Sequence, residues 1–133
     1  MPFVHPVTVR FFEVDLQRVV FNMWYLGWLD DAMTAYLADR GFPYDVMTGA
    51  DWDVQLVHTD IDWHAGATFG DQLAVEVTTD RLGTTSLTLA FRVLRGDEVI
   101  ATATTVYVVV GTDGTGKRPL PDALRSALSA AGA

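Results

Sequence analysis

The 133 residues carry 9 lysines and arginines against 17 aspartates and glutamates, a formal charge of −8. That balance excludes nucleic acid as the main partner, because a phosphate backbone needs a basic face, and it disfavours anionic membrane surfaces. Half the residues are hydrophobic, yet no run approaches the ~18 apolar residues that span a bilayer, and the absence of cysteine removes disulfides and thiolate metal sites.

The length predicts one domain over residues 1–133, and the start, Met1-Pro-Phe-Val-His-Pro6, lacks a basic region followed by an apolar stretch. The expected location is the cytoplasm. The first strand is predicted at Val7–Phe11, with Val7, Val9 and Phe11 on one face. It runs into the acids Glu13 and Asp15, then a short apolar loop, then a long helix opening near Asn22. Leu26, Leu29, Met33, Tyr36 and Leu37 form an i, i+3, i+7 stripe along that helix. Asp30, Asp31 and Asp39 fall elsewhere, and Asp30 and Asp31 read as a solvated face. Gly27 reads as a point of close approach to the sheet, and Gly41 followed by Pro43 as the stop.

The remainder reads as a sheet. Gln55–Trp63 alternates, placing Leu56, His58, Asp60 and Asp62 opposite Val57, Thr59, Ile61 and Trp63. Gly66 and Gly70-Asp71 mark a turn before a strand at Leu73–Thr79. Gly83 separates it from Ser86–Arg95, where Leu87, Leu89, Phe91 and Val93 share a face. Gly96-Asp97 is a hairpin signal leading to Val99–Val110, and Pro121–Leu128 reads as a short amphipathic helix. One strand, one long helix and four strands in hairpin succession make an α+β fold, a helix on a curved antiparallel sheet.

Asp15 is the candidate for chemistry. It lies a few residues before a helix N-terminus, whose free amides can hold developing negative charge. A base beside an oxyanion site is the minimum equipment for hydrolysing an acyl bond. Asn22, where the helix opens, is also a good N-cap residue, and both roles are expected of it. His58, Asp60, Asp62 and His64 are residue types that bind metals, but a polar sheet face or a dimer edge is the reading adopted, with no metal. Gly114-Thr-Gly116-Lys-Arg118 lacks P-loop spacing and precedes no long helix, so a phosphate-loop reading is rejected.

The order acid-x-Asp15, then Val19-Val20-Phe21, then Tyr25-Leu-x-Trp-Leu-Asp-x-Ala32 resembles the signature of the 4-hydroxybenzoyl-CoA thioesterase branch of the hotdog-fold acyl-CoA thioesterases. Ile61-Asp-Trp with Gly70-Asp71, Gly83-Thr-Thr-Ser86, Phe91–Arg95, Ala101-Thr-Ala with Val106-Tyr-Val, and Arg118-Pro-Leu-Pro121 continue the likeness along the chain. The resemblance implies a hotdog fold and hydrolysis of an acyl-CoA or acyl-carrier-protein thioester. Asp15 would be nucleophile or general base, and the Asn22 amide the oxyanion donor. It implies no metal or redox cofactor, coenzyme A entering only as part of the substrate. It also implies a homodimer or a tetramer of dimers with sites between subunits.

Three positions depart from the pattern: Arg18 stands where Gly is usual, Asn22 where His or Tyr is frequent, and Trp24 where Asn is usual. Arg18, Phe21, Trp24 and His64 are the expected substrate contacts, and Trp28 and Trp63 further candidates for the acyl pocket. Arg81, Arg92, Arg95, Lys117 and Arg118 are candidates for the phosphates of coenzyme A. A non-catalytic acyl-thioester-binding protein and a hotdog hydratase or dehydratase are the competing functions.

Overall fold

Residues 2–131 are described by a computed structural model. Its five strands form one antiparallel sheet in the order β1-β3-β4-β5-β2, built from β1 (Phe3–Thr8), β2 (Trp52–Trp63), β3 (Gln72–Leu82), β4 (Ser86–Arg95) and β5 (Glu98–Gly111). Alternation along the central strands turns Val75, Val77, Leu89, Phe91, Val93 and Tyr107 to one face, where all are buried. The long helix α1 (Met23–Asp39) covers that face over β1 and β3, and α3 (Asp122–Ala131) adds Leu124 and Leu128 to the same core. This is the helix-on-curved-sheet arrangement that the resemblance implied.

Several sequence expectations need correction. The first strand lies earlier than Val7–Phe11. Pro6 has no amide to donate, yet β1 is an edge strand, where a proline is tolerated. Val9 still exchanges backbone hydrogen bonds with Gly70 and Asp71, but the chain then folds into a single 3-10 turn at Phe11–Glu13, leaving Phe11 exposed rather than in the core. The four later strands do not follow in hairpin succession. β3-β4 and β4-β5 are hairpins, whereas β2 pairs with β5 at the far edge, so residues 64–71 cross over to β3. The turn expected within that segment is present, closed by the Asp71 amide on the Thr68 carbonyl at 3.1 Å.

The alternation of β2 is also interrupted. Leu56 pairs with Tyr107 and His58 with Val106, so Val57 is an extra residue, a β-bulge. Leu56 therefore shares the inward face with Tyr107, while His58, Asp60 and Asp62 lie on the outward face opposite Val106, Thr104 and Thr102.

The buried side of α1 is Tyr25, Trp28, Leu29, Ala32, Tyr36 and Leu37, and Leu26 is exposed. The stripe is thus rotated from the one predicted, because Trp28 and Ala32 take the sheet side. Gly27 is exposed and a Cβ built there meets no atom within 4 Å, so it makes no close approach to the sheet. The predicted stop holds. Gly41 has φ of 98°, and the Phe42 amide reaches the Leu37 carbonyl (2.8 Å) while the Gly41 amide reaches Ala38 (3.1 Å), a Schellman pair. A short helix α2 (Tyr44–Gly49) after Pro43 was not anticipated. Asp30 and Asp31 are not a merely solvated face: Asp30 Oδ1 accepts the Tyr107 hydroxyl (3.1 Å), and Asp31 Oδ2 pairs with His5 Nε2 (2.9 Å), tying α1 to β5 and β1. Among the described residues no helix is long and apolar enough to cross a membrane.

Replacing Gly27 by Ala is expected to raise stability by about 0.4–1 kcal/mol, since the helix interior gains propensity and nothing is displaced. Gly41→Ala should lower it by about 1–2 kcal/mol through the left-handed backbone. Urea unfolding of the two variants against the parent checks both signs.

Candidate functional site

The site is organised by a carboxylate the sequence reading passed over. Glu13 is fully buried at the end of the 3-10 turn. Its Oε1 accepts the Arg10 amide (2.7 Å), and its Oε2 accepts Arg10 Nη2 (3.0 Å) and the indole Nε1 of Trp28 (3.0 Å). The Glu13 carbonyl also accepts the Phe21 amide (2.9 Å). Burial pushes its pKa up, but the donors from Arg10 and Trp28 outweigh that and hold the carboxyl below the ordinary range. One side chain thus fixes the 3-10 turn to α1. Its sequence signal was available: Arg10 and Glu13 sit at capping-box spacing.

Between that turn and α1 the chain makes a narrow loop. Val14 and Val20 bridge, the Asp15 amide donates to Val19 (3.0 Å), and the Arg18 amide donates to the Asp15 carbonyl (2.9 Å). Asp15 Oδ1 accepts the Gln17 amide at 2.8 Å, which orients the carboxylate. Its Oδ2 accepts nothing among the described residues. Arg18 has φ of 67°. The position demands a left-handed backbone, which explains why glycine is the pattern's usual residue here; the arginine tolerates it at about 1–2 kcal/mol. Thr68 anchors this bend by donating its hydroxyl to the Arg18 carbonyl (2.9 Å). Asp15 and Arg18 line one open hollow with Leu16, Thr68 and the edge-to-face pair of Phe11 and Phe69.

Asn22 does not act as the expected side-chain cap. Its backbone is already helical (φ −52°, ψ −36°) and its side chain makes no capping hydrogen bond. The Phe21 carbonyl takes the first turn's bond, from the Trp24 amide at 3.0 Å. The amides of Asn22 and Met23 consequently donate to nothing among the described residues, and they stand at the positive end of a 17-residue helix. Asn22 lines a second cleft with Val20, Tyr25, Trp63, His64 and Gly66. His64 Nε2 sits 3.0 Å from the Thr102 hydroxyl at its wall.

The predicted site residues therefore fall into two groups within one chain. Asp15 and Arg18 share one hollow, Asn22 and His64 the adjoining cleft. Phe21 is exposed between them, and Trp24 packs edge-to-face on Phe12 (5.3 Å). Trp63 joins the cleft, whereas Trp28 is core and cannot touch a substrate. His58, Asp60 and Asp62 of β2 and His64 just after it do not converge: His58 pairs with Asp60 (2.8 Å) and His64 with Thr102. Among the described residues no cluster of three or more potential ligands forms.

Two of the cations considered for phosphate are engaged in structure. Arg95 holds Asp71 and Glu98 (2.7 Å each) and the Gly66 carbonyl, and the Asp71 carboxylate in turn fixes the turn amide of Thr68. Arg118 holds Asp113 and the Asp51 carbonyl, closing the loop in which the Gly111 amide meets the Gly116 carbonyl. Arg92 lies 3.6 Å from Glu76. Arg81 and Lys117 are exposed, with no ion pair among the described residues.

A family model described as the thioesterase-like superfamily matches residues 9–128. A putative esterase of Aquifex aeolicus is 26% identical over 110 residues, covering 83% of this chain and 86% of that protein. A 1,4-dihydroxy-2-naphthoyl-CoA hydrolase of Nostoc punctiforme is 26% identical over 123 residues, 92% and 83% of the two chains. In fold, the chain is similar to a hypothetical protein of Staphylococcus aureus solved in complex with CoA, with TM-score 0.92 over 99% of this chain and 84% of that one at 12% identity.

Glu13→Ala is expected to cost about 3 kcal/mol or more, because it leaves the Trp28 indole and the Arg10 amide without their acceptor. Since the folded-state pKa of Glu13 is lowered, its contribution is present above the ordinary carboxylate pKa of about 4.3 and is lost as pH falls through the folded value. Thermal unfolding of Glu13→Gln against pH should therefore show a shallower acid limb than the parent.

Proposed function

The chain belongs to the thioesterase-like superfamily and is a hotdog-fold acyl-CoA thioester hydrolase, and on that premise we propose that Asp15 drives the attack while the opening of α1 holds the oxyanion. The observation that carries the assignment is the pair of unengaged amides at Asn22 and Met23, seven and eight residues beyond a carboxylate with a free oxygen. In the general-base form, Asp15 takes a proton from water as its oxygen bonds to the thioester carbon. The carbonyl becomes an oxyanion held by the Asn22 amide. Collapse breaks the C–S bond, and the proton passes to the departing thiolate. In the nucleophilic form, the carboxylate bonds to the carbon first, the C–S bond breaks to release the thiolate and leave a mixed anhydride on Asp15, and water opens that anhydride to the free acid, one of its protons going to the thiolate. Such a donor contributes on the order of 10²–10³ in rate. Names of relatives that specify CoA favour it over a carrier protein as the thiol, and a CoA ester suits a cytoplasmic enzyme.

Phe21, Trp24 and His64 are assigned to substrate contact, His64 from the lining of the cleft and Phe21 and Trp24 as exposed rings where α1 opens. Arg18 is assigned to an anionic part of the substrate, since its side chain is exposed beside Asp15 and makes no ion pair among the described residues. The active form is a homodimer, or a tetramer of dimers, in which a second copy joins the two openings. Among the described residues the outer edge of β2, 12 residues long, has no strand beside it, and Leu16, Phe11, Phe12 and Met23 are strongly exposed around the site. An open edge of that length beside apolar surface is an association surface.

Release of free thiol from a panel of acyl-CoAs tests the activity. Asp15→Asn should lower kcat about 10²–10⁴-fold with the fold intact. A folded variant retaining more than about a third of the parent kcat would remove Asp15 from the chemistry. Arg18→Gly should raise KM and flatten its dependence on salt while kcat moves little, because a phosphate or carboxylate contact is made equally in ground and transition states. The same change relieves the left-handed backbone and should stabilise the protein by about 0.5–1 kcal/mol. A fall in kcat at constant KM would instead assign Arg18 to the reaction. Light scattering at micromolar concentration should give at least twice the 14.6 kDa chain mass.

A further inference from the structure

The loop that carries Asp15 leans on one short stretch of chain. The Val20 amide donates to the Ala67 carbonyl (2.9 Å), and the Thr68 hydroxyl donates to the Arg18 carbonyl (2.9 Å). Gly66 lies directly against Val19, so close that a Cβ built there would stand 2.7 Å from Val19 Cγ1. Residues 66–68 belong to the crossover from β2 to β3 and lie in no strand, so no sheet ladder fixes them. Arg95, the last residue of β4, holds them from outside. Its Nη1 donates to the Gly66 carbonyl (3.1 Å) and to Asp71 Oδ2 (2.7 Å), and that same oxygen accepts the Thr68 amide (2.9 Å). One nitrogen thus clamps both ends of residues 66–71. Burial pushes the Asp71 carboxyl up, but the Thr68 amide and the Arg95 guanidinium outweigh it and hold it below the ordinary range, so the pair stays ionised at neutral pH.

We propose that Arg95 is a positioning residue for the hydrolysis, holding the Asp15 carboxylate in place through Asp71, Thr68 and the Arg18 carbonyl. The inference deepens the hydrolase reading above and rests on it for the role of Asp15. The bend at Arg18 is what makes an anchor necessary. A non-glycine residue with φ of 67° persists only where its surroundings over-determine it. The Arg18 amide donates to the Asp15 carbonyl (2.9 Å), so relaxation of the bend carries the Asp15 backbone with it. The Gln17 amide that orients Asp15 Oδ1 lies in the same bend. Reacting groups tolerate little displacement: a shift of about 1 Å costs on the order of 10² in rate. A guanidinium suits this task because its planar fork reaches fixed acceptors with little freedom, unlike an ammonium on a flexible stem. The competing role for Arg95 is closure of the β4-β5 hairpin, since its Nε and Nη2 also hold Glu98 Oε1 (3.2 and 2.7 Å). Hairpin closure needs neither Gly66 nor Asp71, and it leaves the Asp15 loop untouched.

Thiol-release kinetics and amide hydrogen exchange on the full chain separate the two roles. Arg95→Met should lower kcat about 10–100-fold. Thr68→Val, which trades only the hydroxyl for a methyl, should lower it about tenfold. Thr68 is exposed, so its variant carries the test if Arg95→Met does not fold. Both changes act through one path, so the double variant should match Arg95→Met alone to within about threefold. The Val20 and Arg18 amides should exchange about tenfold faster in each variant, reporting local opening of the loop. Glu98→Ala breaks the hairpin contact alone and should leave kcat and loop exchange within about twofold of the parent. Unchanged exchange at Val20 in a folded variant, a fall in kcat from Glu98→Ala equal to that from Arg95→Met, or falls that multiply in the double variant, overturns the proposal. Asp15→Asn is measured beside them. If it keeps its kcat while exchange at Val20 rises in the anchor variants, the role of Asp15 fails and the clamp on its loop stands. If it loses kcat while exchange does not move, the clamp fails and Asp15 keeps its role.

Discussion

The buried carboxylate of Glu13 is the constraint from which the site follows. A charge removed from water is tolerable only when every oxygen is satisfied, and here the donors come from the 3-10 turn itself and from the middle of α1. That requirement leaves the turn one position relative to the helix. The loop of residues 14–20, stitched to itself and to residues 67 and 68, then has both ends fixed. Asp15 owes its position to a neighbour two residues away that does no chemistry.

The same arrangement separates two electrostatic tasks. Negative charge for attack sits on the loop, and positive potential for the oxyanion sits at the start of α1. Phe21 lies between them, its amide held by the Glu13 carbonyl. Because that bond engages Phe21, the first unengaged amides fall at Asn22 and Met23, one step into the helix. A side-chain cap from Asn22 would take the Trp24 or Tyr25 amide, and both are already engaged by the Phe21 and Asn22 carbonyls, so the missing cap leaves the Asn22 and Met23 amides as they are.

Much of this was legible in the sequence. Alternation in Ser86–Arg95 and the Gly41-Pro43 stop depend on local rules, and both hold in the structure. The place of Asp15 before a helix was equally readable. What local pattern could not give was long-range pairing. Val7–Phe11 has perfect period-2 alternation, yet the strand ends at Thr8 because the Glu13 carboxylate captures the Arg10 amide. The destination of β2 depends on which edge remains free after the two hairpins form, which no window of sequence encodes. The rotated face of α1 has a similar origin. Leu26 satisfies the periodic stripe, but the sheet side was claimed by Trp28, whose indole answers Glu13.

The extra residue at Val57 has a consequence for assembly. An ordinary strand offers its free edge in many equivalent alignments, each slid by two residues from the last. A strand with one bulge has a unique landmark, and two copies laid against each other in opposite directions must accommodate both landmarks at once. Most slid alignments then place a kink against a straight segment and lose ladder bonds there. The irregularity in β2 therefore works as a key that admits one alignment of two identical edges. It also inverts the side-chain phase part-way along the strand, so that Val54 and Leu56 face inward before it and Ile61 and Trp63 after it.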